Sequence, residues 1–155
     1  MNIIIVYDSL YGNTEKIANV IAQEFSSHKV HIVKAKDVTK DAARDVDLII
    51  VGSPTHGGRP SSGTKEFLSQ IAPDSLKNIR GASFTTGIST EGQNIFFRFI
   101  IWLMGYADKH IARVLNKNGA RIVGEEIFFV LEKDGPLKEG ELERAKKWAS
   151  EILNK

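Results

Sequence analysis

The chain has 155 residues, 42% hydrophobic and 26% charged, with 21 Lys and Arg against 19 Asp and Glu for a formal net charge of +2. That length suits one domain with a sizeable core, and so slight a charge, with no nucleic-acid-binding motif, argues against nucleic acid as a partner. Cysteine is absent, which excludes disulfides, thiolate nucleophiles, iron–sulfur clusters and Cys-ligated zinc.

Met1-Asn2 is followed by only a short apolar run before Asp8, unlike a secretory signal, and no stretch approaches the roughly 20 apolar residues that span a bilayer. The expectation is a single domain over residues 1–155 in the cytoplasm. Ile3-Ile4-Ile5-Val6-Tyr7 is too brief for a helix and rich in β-branched residues, so it reads as a strand. After the polar stretch Asp8 to Asn13, Ile17, Ala18, Ile21, Ala22 and Phe25 share one helical face, with Glu15, Lys16, Asn19, Gln23 and Glu24 opposite. Val30 to Val33 is a second strand, and Val38 to Arg44 a polar segment expected to hold a brief helix.

Leu48-Ile49-Ile50-Val51-Gly52 is the near-continuous apolar run of a strand covered on both faces. Ser53 to Gly63 follows as a loop of turn-forming residues, and a helix from about Thr64 to Ile71 turns Phe67, Leu68 and Ile71 inward before Pro73 closes it. Gly81 to Thr86 reads as a fourth strand before a polar loop, Gly87 to Gln93. Ala107 to Asn118 is a helix carrying Ile111, Val114 and Leu115 and stopped by Gly119. Arg121 to Val130 is a fifth strand with a bend at Gly124, and the last helix, Glu139 to Leu153, buries Leu142, Ala145, Trp148, Ala149 and Ile152.

Strands alternating with helices at short connections imply an open parallel sheet with helices on both faces. Ligands of such sheets lie outside the carboxyl ends of the strands, so the loops after the first, third and fourth strands converge there. In the first, Ser9, Asn13 and Thr14 and several backbone N–H groups stand at a helix N-terminus, where free donors and the positive dipole end favour an anion such as phosphate. The plainer reading is that these side chains only cap the helix and shape its turn.

The first loop has the form Ser-x-x-Gly-x-Thr, and it resembles the FMN phosphate loop of the flavodoxin family, which also follows the first strand. Tyr7 to Lys16, together with Ser53-Pro54-Thr55-His56 after the third strand, is most similar to the flavodoxin domain of flavodiiron proteins; no diiron domain is expected in this stretch. The resemblance covers the whole chain and implies an α/β flavodoxin-like three-layer sandwich with a five-stranded parallel sheet of order 2-1-3-4-5, and FMN as cofactor. Carried over, Ser9, Gly12, Asn13 and Thr14, with the N–H groups of Leu10 and Tyr11, hold the phosphate, without need of a lysine counter-ion. Family members often have Thr where Tyr11 stands.

By the same resemblance Pro54, Thr55, His56, Gly57 and Gly58 sit beside the isoalloxazine ring, with His56 the only ring-bearing residue of that loop. In the family a small residue here permits a peptide flip, so that its carbonyl accepts a hydrogen bond from flavin N5–H after one electron arrives. Gly57 and Gly58 suit that, although paired glycines also serve any surface turn. Thr86, Gly87, Ile88 and Ser89 offer N–H groups to the pyrimidine edge. The family usually stacks aromatic rings from the second and third loops; Thr85 to Gln93 contains none, so Trp102 or Tyr106 is the candidate stacking partner.

Ile95 to Met104 falls outside the family pattern: it is apolar all round, holds one charge and precedes a basic stretch. A buried helix or a cover over the flavin is the preferred reading, and an exposed patch for a partner protein, a second subunit in a homodimer or a membrane surface is the alternative. For the whole chain the leading function is an FMN-bound electron carrier shuttling between redox partner proteins, which needs no catalytic acid, base or nucleophile. The alternative is an FMN-dependent oxidoreductase acting on a quinone or another small molecule, including a protoporphyrinogen-oxidase-like role at a membrane surface. A flavin-free receiver-like module ranks last, because it requires a carboxylate at the end of the third strand, where Ser53 stands.

Overall fold

The computed structural model describes residues 1–39, 42 and 45–155. Its elements are β1 Asn2–Tyr7, α1 Asn13–Glu24, β2 Lys29–Lys34, β3 Leu48–His56, β4 Arg59–Pro60, α2 Ser62–Gln70, β5 Arg80–Ile88, α3 Ile95–Met104, α4 Asp108–Lys117, β6 Arg121–Val130 and α5 Glu141–Leu153. Five strands pair in parallel in the order β2-β1-β3-β5-β6, and the two-residue β4 hooks antiparallel onto the end of β3. The sheet path is the expected 2-1-3-4-5, renumbered by the inserted β4.

The register Ile3↔Leu48, Ile5↔Ile50, Tyr7↔Gly52 sets β1 against β3 at the centre of the sheet. Alternation along β1 divides the core in two, as period-2 side chains must. Ile3, Ile5 and Tyr7 join Ile17, Ile21, Phe25, Ala145, Trp148 and Ile152 of α1 and α5 on one face. Ile4 and Val6 join Phe67, Leu68, Ile111 and Leu115 of α2 and α4 on the other. Each fully buried Ile or Phe contributes about 1.5–3 kcal/mol relative to exposure, so packing rather than helix propensity holds these layers. Around α5, Phe84, Phe128 and Trp148 meet edge to face with centroids 6.1–6.3 Å apart. The expected bend at Gly124 is a bulge: Gly81 pairs with Ile122 and Ala82 with Gly124, so Val123 is the extra residue.

Three expectations need correction. Ser53 to Gly63 is not an open loop, because β3 continues to His56 and returns through β4, with Thr55↔Pro60 and His56↔Arg59 paired. Pro60 fits at that edge since it has no N–H to leave unpaired. Leu142 is exposed rather than buried, one position away from the stripe of Ala145, Trp148, Ala149 and Ile152. The run Ile95–Met104 forms a helix, but none of its residues is buried. A single 3-10 turn occupies Ala35–Asp37, and the brief helix expected over Val38 to Arg44 falls largely on residues 40, 41, 43 and 44, outside the described residues.

Candidate functional site

Because the strands are parallel, the segments after β1, β3, β5 and β6 leave the sheet at one edge. A cleft of about 60 Å³ opens there, lined by Ser9, Leu10, Tyr11, Asn13 and Thr14 from the first loop, Pro54, Thr55 and His56 from β3, and Thr86, Gly87 and Ile88 from β5. Residues far apart in sequence are thus brought together as expected. Gly12, Gly57, Gly58 and Ser89 lie outside that lining. A larger void of about 590 Å³ lies between the sheet and α2, bounded by Val38, Phe67, Ile71 and Leu76.

The first loop is built to leave donors open. Gly12 precedes α1 in the left-handed region, φ 83°, and no side chain caps the helix from that position. Asp8 fixes the start of the loop, its carboxylate accepting from the Ser9 N–H at 2.9 Å and the Ser61 hydroxyl at 2.6 Å. Ser9 Oγ accepts from the Glu15 N–H at 3.3 Å, so Ser9 does some of the capping that the plainer reading assigned to it. Among the described residues, the backbone N–H groups of Leu10 through Thr14 have no acceptor within the protein. Successive free donors at a helix start form an anion-binding concavity.

Side chains tie this loop to its neighbours. Thr14 Oγ1 and Thr86 Oγ1 are 2.8 Å apart, joining the first loop to the end of β5. Asn13 is buried and donates to the Asp134 carbonyl at 3.3 Å, while a Cβ at Gly135 would lie 2.6 Å from Asn13 Nδ2. The segment after β6 therefore leans on the first loop and brings Val130 and Lys133 into the lining. Both were missed because the sequence reading followed only three loops. The signal was available: the segment after the fifth strand must leave at the same edge, and Lys133 is a cation beside an anion site.

At the other end of the cleft, β3 and β4 turn through Gly57 at φ 54° and Gly58 at φ 74°. A Cβ on Gly58 would stand 2.4 Å from the Met104 carbonyl oxygen, so both conformation and space require glycine there. Thr55 Oγ1 accepts from the Ala107 N–H at 3.3 Å. Ser89 is turned away, its N–H donating to the Val130 carbonyl at 3.3 Å and its hydroxyl accepting from Glu91 N–H at 3.2 Å.

Neither candidate stacking ring, Trp102 or Tyr106, is among the residues lining the cleft. Tyr106 packs against Gly87, where a Cβ would stand 2.7 Å from its ring, donates to the Ile88 carbonyl at 3.0 Å and meets Phe129 edge to face. Burial first, and the Asp108 charge second, push its phenol above the usual range. Trp102 is 76% exposed on α3, beside Phe99 at 5.8 Å. The rings that do line the cleft are Tyr11 and His56. Burial likewise raises the Asp108 carboxyl, against backbone donors that lower it, and Asp108 Oδ1 and Thr85 Oγ1 are buried without a partner among the described residues. Beneath the first loop, burial and the hydrogen bond to Glu15 push the Tyr7 phenol up to about 12.

The Flavodoxin domain family matches residues 4–119, the span from β1 through α4 that carries three of the cleft's four walls. The chain belongs to this flavodoxin family. A flavodoxin from Aquifex aeolicus is 33% identical over 82 residues, 51% of this chain and 44% of that one. Rubredoxin-oxygen oxidoreductase of Megalodesulfovibrio gigas, a flavodiiron relative, is 32% identical over 112 residues, 66% of this chain and 27% of that one. The chain spans less than half the length of the curated relatives it matches. The solved flavodoxin of Streptococcus pneumoniae TIGR4 superposes with a TM-score of 0.75, at 22% identity and 99% coverage of both chains, and so shares the fold. Flavodoxin-family proteins bind FMN. The first loop's donor chemistry fits the phosphate of that group.

Proposed function

We propose that this flavodoxin holds FMN at the carboxyl edge of its sheet and passes electrons between redox partner proteins. The observation that carries the proposal is the run of unclaimed N–H donors from Leu10 to Thr14 beside Lys133. When bound, FMN supplies one- and two-electron redox chemistry. The chain's own residues bind and orient it. The N–H groups of Leu10 to Thr14 and the start of α1 hold the phosphate, and Lys133 adds a positive charge that the sequence reading did not count. The Thr14–Thr86 contact keeps the first and third walls in register. Pro54 to Gly58 and Thr86 to Ile88 bound the ring end, where Gly57 and Gly58 leave the chain free of side chains.

A second reading, an FMN-dependent oxidoreductase acting on a quinone or similar small molecule, is favoured by one observation. The apolar α3 ends at Met104, which backs directly onto Gly58 at the cleft's rim. Purified protein is expected to be yellow or to turn yellow on adding FMN. A colourless chain that fails to bind FMN ends both readings. Stepwise reduction by a chemical reductant without NAD(P)H turnover supports the carrier, and steady-state NAD(P)H oxidation with a quinone supports the enzyme. Thr14→Ala is expected to weaken FMN more than riboflavin; equal weakening of both counts against the phosphate assignment.

A further inference from the structure

Helix α3 carries its apolar stripe on the outside. Ile95, Phe96, Phe99, Trp102 and Leu103 stand at i, i+1, i+4, i+7 and i+8, so they share one face, and their exposure runs from 55% at Phe99 to 86% at Ile95. Phe97, Ile100 and Ile101 on the reverse are half-buried. A helix of a globular domain ordinarily turns such a stripe to the core. Here its ends are fixed without any partner: Asn94 Oδ1 accepts from the Phe97 N–H at 2.8 Å, and Gly105 stops the helix at φ 68°.

The charge around this stripe has one sign. Arg98 stands on α3, and Lys109 and Arg113 follow on the first turns of α4, all three exposed, while the single carboxylate between Asn94 and Arg113, Asp108, is buried. Arg59 is exposed next to Gly58, against which the end of α3 rests. The nearest preceding carboxylate, Glu91, is paired with Lys138. An apolar stripe flanked by cations, with no exposed carboxylate among them, complements a surface that is apolar within and negative at its face.

We propose that α3 and its flanking cations dock this protein onto an anionic phospholipid bilayer, with the helix lying in the interfacial plane. Outward Phe and Trp side chains favour the headgroup boundary, and the cations add attraction to anionic lipids. Ten residues are too few to cross a membrane, and no described helix is long and apolar enough to do so. A second copy is a poorer occupant, because a two-fold contact sets the same patch against itself and brings cations to cations. This docking stands apart from the FMN reading, since none of its residues lines the cleft.

The test uses the full chain and flotation with vesicles of phosphatidylcholine alone or with about 30 mol% phosphatidylglycerol. Binding is expected to the anionic vesicles, at least about tenfold weaker to phosphatidylcholine, and lost at high salt. Emission should shift to the blue on binding, because Trp102 is exposed whereas Trp148, the other tryptophan, is already buried. The double variant Phe99→Ser with Leu103→Ser is expected to lose binding about tenfold or more with an unchanged circular dichroism spectrum and melting point, and Arg98→Glu with Arg113→Glu to lose the preference for anionic lipid. Folded protein that ignores anionic vesicles, or binds neutral ones as tightly, overturns the proposal. So does a concentration-dependent dimer by light scattering that the Phe99/Leu103 variant abolishes, which would make a second copy the occupant.

Discussion

Helices α5 and α3 both have an apolar face of helical period, and the fold uses the two faces in opposite ways. In α5, Ala145, Trp148, Ala149 and Ile152 are sealed between α1 and the sheet. In α3 the equivalent stripe faces solvent. Periodicity reveals that a helix has an apolar face; what that face meets is decided by the layers already in place. Both sides of this sheet are covered by α1 and α5 or by α2 and α4, which leaves α3 no core to join.

The contrast predicts a graded set of effects. Trp148→Ala should cost about 3–5 kcal/mol in urea unfolding, since it empties the space between Phe84 and Phe128. Gly58→Ala should cost about 1–3 kcal/mol, read from the shift in denaturation midpoint, because Cβ enters at positive φ and against the Met104 carbonyl. A smaller loss would mean that α3 yields and is only loosely seated. Tyr7→Phe, on the buried side, should lose about 1 kcal/mol at neutral pH through its bond to Glu15.

The same tyrosine gives a pH test. Its folded-state pKa is raised to about 12 against an ordinary 10.0, so its contribution is complete below pH 10 and is lost as pH rises toward 12. The alkaline fall in stability should therefore be shallower in Tyr7→Phe than in the parent. The smallest effect belongs to Trp102→Ala, expected within about 0.5 kcal/mol by the same urea titration. If it rivals Trp148→Ala, α3 is packed rather than exposed and the contrast fails.

Much of this was legible in the residues. Ile3-Ile4-Ile5-Val6 and Leu48 to Val51 announced central strands because a strand covered on both faces has no polar positions. The loop from Ser9 to Thr14 announced open N–H donors at a helix start, and the structure leaves those of Leu10 to Thr14 without an acceptor among the described residues. The return of β3 through β4 was hidden, since Gly-Gly-Arg-Pro reads equally as a loop and as a tight hairpin, and only pairing with Thr55 and His56 distinguishes them. Lys133 was hidden by distance along the chain, becoming visible once Asp134 and Gly135 were seen against Asn13. Tyr106 was half legible: an aromatic near the site was anticipated, but the space beside Gly87 that it fills is visible only in the fold.

The two facing hydroxyls of Thr14 and Thr86 hold two hydrogens between them, and their mutual bond uses one. Whichever oxygen acts as acceptor keeps its own hydrogen to aim elsewhere. Both residues line the cleft. The polarity of the pair can therefore reverse by rotation of two hydrogens, with every heavy atom in place, so the outward hydrogen can come from either wall. A rigid scaffold carries here a donor whose side is chosen by what it meets.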